Sequence, residues 1–73
     1  MSRIWRYKVV NGKKITELMH EKGIKNKEIA AEVGISESMM TYIVKELREP
    51  NVTTLSRIAK VLGVTVDELI VQT

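Results

Sequence analysis

Lys27-Glu28-Ile29-Ala30-Ala31-Glu32-Val33-Gly34-Ile35-Ser36-Glu37-Ser38-Met39-Met40-Thr41-Tyr42-Ile43 is the stretch that decides the fold. Ile29, Ala30 and Val33 recur at the spacing of one helical face, and Gly34 stands where that helix must stop. Ser36 then opens a second helix, its hydroxyl placed to accept an orphan backbone N–H. Ala30 is small enough to let the second helix cross close over the first. Ile35 plugs the turn, while Met40 and Ile43 turn inward as anchors. The outward face of the second helix is left to Glu37, Ser38, Met39, Thr41, Tyr42 and Lys45. A helix held this way, with one face free, fits a DNA major groove about 12 Å wide.

Outward from that stretch, turn signals cut the rest of the chain into short helices. Asn11 is an N-cap for a helix in which Ile15, Leu18 and Lys22 recur at helical spacing, and Gly23 ends it. The next runs from Asn26 to Val33. The third starts after Ser36 with Met40, Ile43, Val44 and Leu47 as its apolar side, and Pro50 forces a stop near Arg48–Glu49. Asn51 caps a fourth with the stripe Val52, Leu55, Ile58, Ala59 and Leu62, closed by Gly63. Thr65-Val66-Asp67-Glu68 reads as a capping box, hydroxyl forward and carboxylate back, opening a fifth helix through Leu69–Ile70. Helices this short are not stable alone, so the expectation is an all-α, compact five-helix bundle.

Composition narrows the function. A chain of 73 residues is one domain, and one so small buries only about 60% of the surface its unfolded form exposes. There is no cysteine and a single histidine, His20, so neither disulfides nor a metal site can supply stability. Helix packing and self-association remain. His20 and Glu21 point about 100° apart on a helix and complete no catalytic set. Nor is there a phosphate-binding glycine loop or a cofactor box, the methionines reading as gap-fillers or surface contacts. Neither an enzyme nor a cofactor is expected. No apolar run is long enough to cross a bilayer and the N-terminus lacks the apolar core of a signal peptide, so the expected setting is the cytoplasm. Charge is lopsided. Residues 1–27 hold eight Lys/Arg against Glu17 and Glu21, a balance of +6, and residues 28–73 hold four against seven acids, a balance of −3. One positive face is the implication.

Residues 1–10 form an extension distinct from the domain at 11–73. Trp5, Tyr7 and Val9 alternate with Arg6 and Lys8, a strand-like period. A strand needs a ladder partner, either the same segment of a two-fold mate or the β-branched tail around Val71. The rival is a basic arm using Arg3 and Arg6 in the minor groove.

The run from Gly12 to Ile70, about four-fifths of the chain, resembles the lambda-repressor/Cro-type helix-turn-helix family, the XRE-like domain. Ile15–Leu18, Lys22-Gly23-Ile24, Glu28-Ile29-Ala30, Gly34-Ile35-Ser36, Met40, Ile43, Pro50, Leu55, Ile58-Ala59, Leu62-Gly63-Val64 and Asp67-Glu68-Leu69 carry the likeness. Several positions depart from it. Lys25 and Asn26 replace the usual hydroxyl cap and Gln. Val44 and Glu46 replace the Glu and Gly that close the recognition helix, which implies a third helix one turn longer, towards Leu47 or Arg48. Met19 and Leu47 stand where charged residues are common.

The resemblance implies a sequence-specific, double-stranded-DNA-binding transcriptional regulator, a repressor acting as a nucleoid-associated homodimer on a near-palindromic operator. Lys25, Lys27, Lys45 and Arg48 would neutralise phosphates. Asn26, Glu37, Ser38, Met39, Thr41 and Tyr42 would read bases. Met39 has the alternative of covering the helix edge, and Glu37 that of favouring the helix dipole. The rival function is a protein-interaction module, such as an antitoxin sequestering a toxin through Trp5, Met19, Leu47 and the Leu69–Val71 tail.

Overall fold

Side-chain oxygens open three of the four helices. Asn11 Oδ1 accepts the Lys14 N–H at 3.0 Å, Ser36 Oγ that of Met39 at 3.0 Å, and Asn51 Oδ1 that of Thr54 at 2.8 Å. Each such cap typically contributes about 1 kcal/mol. The remaining helix starts after Lys25, whose side chain has no acceptor, and is closed from one side only: Glu28 Oε1 accepts the Lys25 N–H at 2.9 Å. The computed structural model describes residues 9–71. Its order is β1 (Val9–Val10), α1 (Gly12–Lys22), α2 (Asn26–Val33), α3 (Glu37–Val44), α4 (Val52–Leu62), a 3₁₀ turn (Val66–Leu69) and β2 (Ile70–Val71).

The inward faces meet in one apolar core. Ile15, Ile29, Met40, Ile43, Ile58, Leu62 and Leu69 lose all contact with solvent, and Leu18, Met19, Ala30, Val33, Leu55 and Ala59 complete the layer. Among the described residues no polar side chain is buried with them. The core therefore does no chemistry; it fixes where the helix surfaces point. In a domain whose whole stability is about 0.05–0.15 kcal/mol per residue, cutting one of these side chains to alanine costs about 2–5 kcal/mol.

Four expectations need correction. The expected fifth helix is a four-residue 3₁₀ turn. Leu69 is sealed in the core, and Ile70–Val71 leave it extended to pair with β1, so no helix can continue. Glu68 supplies its half of the capping box, accepting the Thr65 N–H at 3.3 Å. The Thr65 hydroxyl also donates to that same carboxylate at 3.4 Å. Helix α3 stops at Val44 instead of running to Leu47 or Arg48, because Glu46 takes the left-handed conformation at φ 62° and the Leu47 and Arg48 N–H groups fold back onto the Tyr42 carbonyl at 2.8 and 3.3 Å. Leu47 and Val52, expected on buried stripes, are exposed at 66% and 77%, since the α3–α4 connection and the first turn of α4 overhang the core. Met19 and Leu69, expected among the free apolar surface, are buried: Met19 shares a face with Ile15 and Leu18.

Of the two ladder partners weighed for the N-terminal strand, the tail is the one observed. Val9 pairs with Val71 and Val10 with Ile70, antiparallel, and the Asn11 N–H adds a bond to the Leu69 carbonyl at 2.6 Å. Val10 is buried in the core. The expectations for Arg3, Trp5, Arg6, Tyr7 and Lys8 lie outside the described residues.

Candidate nucleic-acid interface

Helices α2 and α3 are joined by Gly34-Ile35-Ser36. Gly34 sits at φ 86°, and a Cβ there would meet nothing closer than Arg57 Nη1 at 3.7 Å. Backbone conformation, not lack of space, therefore asks for glycine. The Gly34 and Ile35 N–H groups both return to the Ala30 carbonyl, at 2.8 and 3.0 Å. Arg57, on α4, holds the end of α2 from outside by donating Nη1–H to the Val33 carbonyl at 3.4 Å. Ile35 packs against the core, so the turn is pinned on its inner side too.

Recognition-helix side chains divide by the helical period. Met40 and Ile43 are fully buried, and Val44 packs half-buried beside them. Glu37, Ser38, Tyr42 and Lys45 face solvent, with Tyr42 at 45% exposure. Met39 and Thr41 are half-buried at the edge, and Met39 lies against the core. The phosphate candidates are all exposed, Lys25 and Lys27 at the start of α2, Lys45 at the C-cap of α3 and Arg48 in the α3–α4 connection. Of the six base candidates, Glu37, Ser38 and Tyr42 are exposed and Asn26, Met39 and Thr41 are half-buried.

Asn26 is the one whose chemistry the fold alters. Its amide nitrogen donates to the Glu37 carbonyl at 3.2 Å and to Thr41 Oγ1 at 3.2 Å. Both amide hydrogens are then spent within the protein. A bidentate adenine contact needs one donor and one acceptor from the same amide, and only Oδ1 remains. Thr41, having accepted, keeps its own hydroxyl proton to donate. What reaches outward is a shared pair: an Asn26 acceptor and a Thr41 donor.

Just beyond the other end of α3 lies a second tie that no local sequence pattern announces. Glu46 Oε2 accepts the Gly12 N–H at 2.9 Å, 34 residues away. A Cβ on Gly12 would lie 2.0 Å from the Val44 carbonyl oxygen, so α1 and α3 meet backbone to backbone. The Asn-Gly dipeptide at 11–12 is the local sequence feature that permits this close approach.

Two helices joined by a three-residue turn, the second capped by serine and bare on its outer face, define a helix-turn-helix domain. The model of the Cro/C1-type HTH DNA-binding domain matches residues 14–72, and the chain belongs to that family. It is 34% identical over 62 residues to the uncharacterized HTH-type transcriptional regulator y4dJ of Sinorhizobium fredii, covering 85% of this chain and 80% of that protein. Among solved structures it is similar to the clp gene regulator ClgR of Corynebacterium glutamicum, with a TM-score of 0.74 at 19% identity, a likeness of fold. That match covers 78% of this chain and 61% of the ClgR chain. It is similar also to SinR, the master regulator for biofilm formation, in complex with DNA, at a TM-score of 0.70 and 30% identity over 77% of this chain and 90% of SinR.

Proposed function

We propose that this chain is a sequence-specific transcriptional repressor that binds a near-palindromic operator as a homodimer, with α3 in the major groove. The exposed face of α3 is the observation that carries this reading. Eight residues of helix are about 12 Å long, and Glu37, Ser38 and Tyr42 stand clear of the core along that length. Met39, Thr41 and Asn26 border it. Lys25 and Lys27 on one flank, Lys45 and Arg48 on the other, engage phosphates and set the register, while the α3 side chains read base edges. SinR, to which the chain is similar, has been solved in complex with DNA, which supports a role in docking to DNA.

One such helix touches too few base pairs to pick out a site in a genome; two related by a two-fold axis square the discrimination. Leu47 and Val52 flank Pro50 beside the recognition helix and present apolar side chains to solvent, a surface suited to a second copy. Leu47 and Val71 are what the rival protein-interaction reading retains among the described residues once Met19 and Leu69 prove buried. Selection of bound duplexes from a random pool tests the proposal. Two inverted half-sites about one helical turn apart are expected, and Leu47→Asp should reduce binding to single half-site affinity while the domain stays folded. A pool that shows no enrichment overturns the proposal, and enrichment of a lone half-site overturns its dimer.

A further inference from the structure

Among the described residues, Glu46 is the one non-glycine residue with a positive φ, at 62°. Such a conformation costs an L-residue about 1–2 kcal/mol, and it persists only where the surroundings hold it. What holds it is visible. The Glu46 carboxylate bonds the Gly12 N–H at 2.9 Å, the second backbone donor of a helix whose first turn carries Lys13 and Lys14 and no acid of its own. A negative charge at that end is favourable for the helix dipole, and here it arrives from the end of α3. Gly12, for its part, has room for hydrogen but not for a methyl against the Val44 carbonyl.

From these contacts we propose that Glu46 is a positioning residue for DNA recognition: its bond to Gly12 fixes the far end of α3 against α1 and so sets the angle at which the recognition helix enters the groove. The near end is already fixed, by the Ser36 cap and by the Asn26 amide on the Glu37 carbonyl and Thr41 hydroxyl. A helix of eight residues held at one end can still pivot about its buried Met40 and Ile43. Held at both, it cannot. The left-handed backbone at Glu46 is what aims the carboxylate back at Gly12, so the tie and the strain are one feature. The inference rests on the reading of α3 as the base-contacting helix.

Two variants of the full chain separate positioning from mere stability. Glu46→Gln keeps an oxygen acceptor for the Gly12 N–H. Glu46→Gly removes the acceptor but relieves the backbone, so its thermal stability should stay near that of the unaltered chain. Amide exchange by NMR reads the bond: the Gly12 N–H should exchange about tenfold faster in Glu46→Gly and stay protected in Glu46→Gln. Competition between the duplex enriched from a random pool and random-sequence duplex reads the function. Glu46→Gly should lose about three- to tenfold of the discrimination, and Glu46→Gln should retain it. Discrimination by Glu46→Gly equal to the unaltered chain overturns the inference, as does an unchanged Gly12 exchange rate or a Glu46→Gln as poor as Glu46→Gly. If the unaltered chain itself does not discriminate, the base-reading role of α3 fails first, and that is seen before any variant is compared.

Discussion

Asn26 Nδ2 lies 3.2 Å from Thr41 Oγ1 and 3.2 Å from the Glu37 carbonyl, so the first residue of α2 is bonded to two points on α3, one turn apart. The amide bridges the turn that the chain itself makes through Gly34-Ile35-Ser36. The Glu37 carbonyl can only accept, which leaves the amide one orientation. Asn26→Asp replaces the two donors with oxygens that face an oxygen at Glu37. The variant should lose about 1–3 kcal/mol of stability and bind the selected duplex less well than its change in charge alone explains. Comparison with Asn26→Ala isolates the repulsion: denaturant unfolding should place the alanine variant between the aspartate variant and the unaltered chain.

Salt dependence tests the phosphate assignments. Lys25, Lys27, Lys45 and Arg48 are all exposed. Each phosphate contact contributes a log–log slope of about −0.9. Lys27→Ala should flatten the slope by about that amount and weaken selected and random duplexes equally. A slope unchanged by the substitution removes Lys27 from the interface.

Gly12→Ala is expected to be more damaging than Gly34→Ala. At Gly34 the methyl would meet only Arg57 Nη1, at an unstrained 3.7 Å, so alanine suffers only the left-handed backbone, about 1–2 kcal/mol. At Gly12 its methyl would sit 2.0 Å from the Val44 carbonyl oxygen, and α1 and α3 must part. In a domain of this size 1 kcal/mol is about 4–8 °C in Tm, so a thermal melt ranks the two without ambiguity.

Helix starts and the buried stripes were legible because each depends on residues close in sequence. Ser36 reaches Met39 and Asn51 reaches Thr54, three positions on, and Ile29, Ala30 and Val33 face inward by periodicity alone. Contacts made across the fold were not legible. The end of α3 is set by Glu46 against Gly12, and nothing near residue 46 announces a partner 34 residues earlier. Val52 carries the helical spacing of its stripe, yet the first turn of α4 has nothing above it, so periodicity could not reveal its 77% exposure. The tail was misjudged for the opposite reason. Thr65 to Glu68 carries a helix-start signal, but pairing of Ile70 and Val71 with β1 outweighs it after one turn. Within the site, exposure of Glu37, Ser38, Tyr42 and Lys45 followed from the inward turn of Met40 and Ile43, whereas the double use of the Asn26 amide required the crossing of α2 and α3.

Tyr42→Ala tests the account most directly, by comparison of affinity for the selected duplex with affinity for random duplex at one salt concentration. Tyr42 is 45% exposed on α3 and lies outside the buried core. The helical circular dichroism spectrum and the affinity for random duplex should be unchanged, while discrimination falls by about 1–3 kcal/mol. A Tyr42→Ala chain that is equally folded and equally discriminating would show that the outer face of α3 does not read the bases.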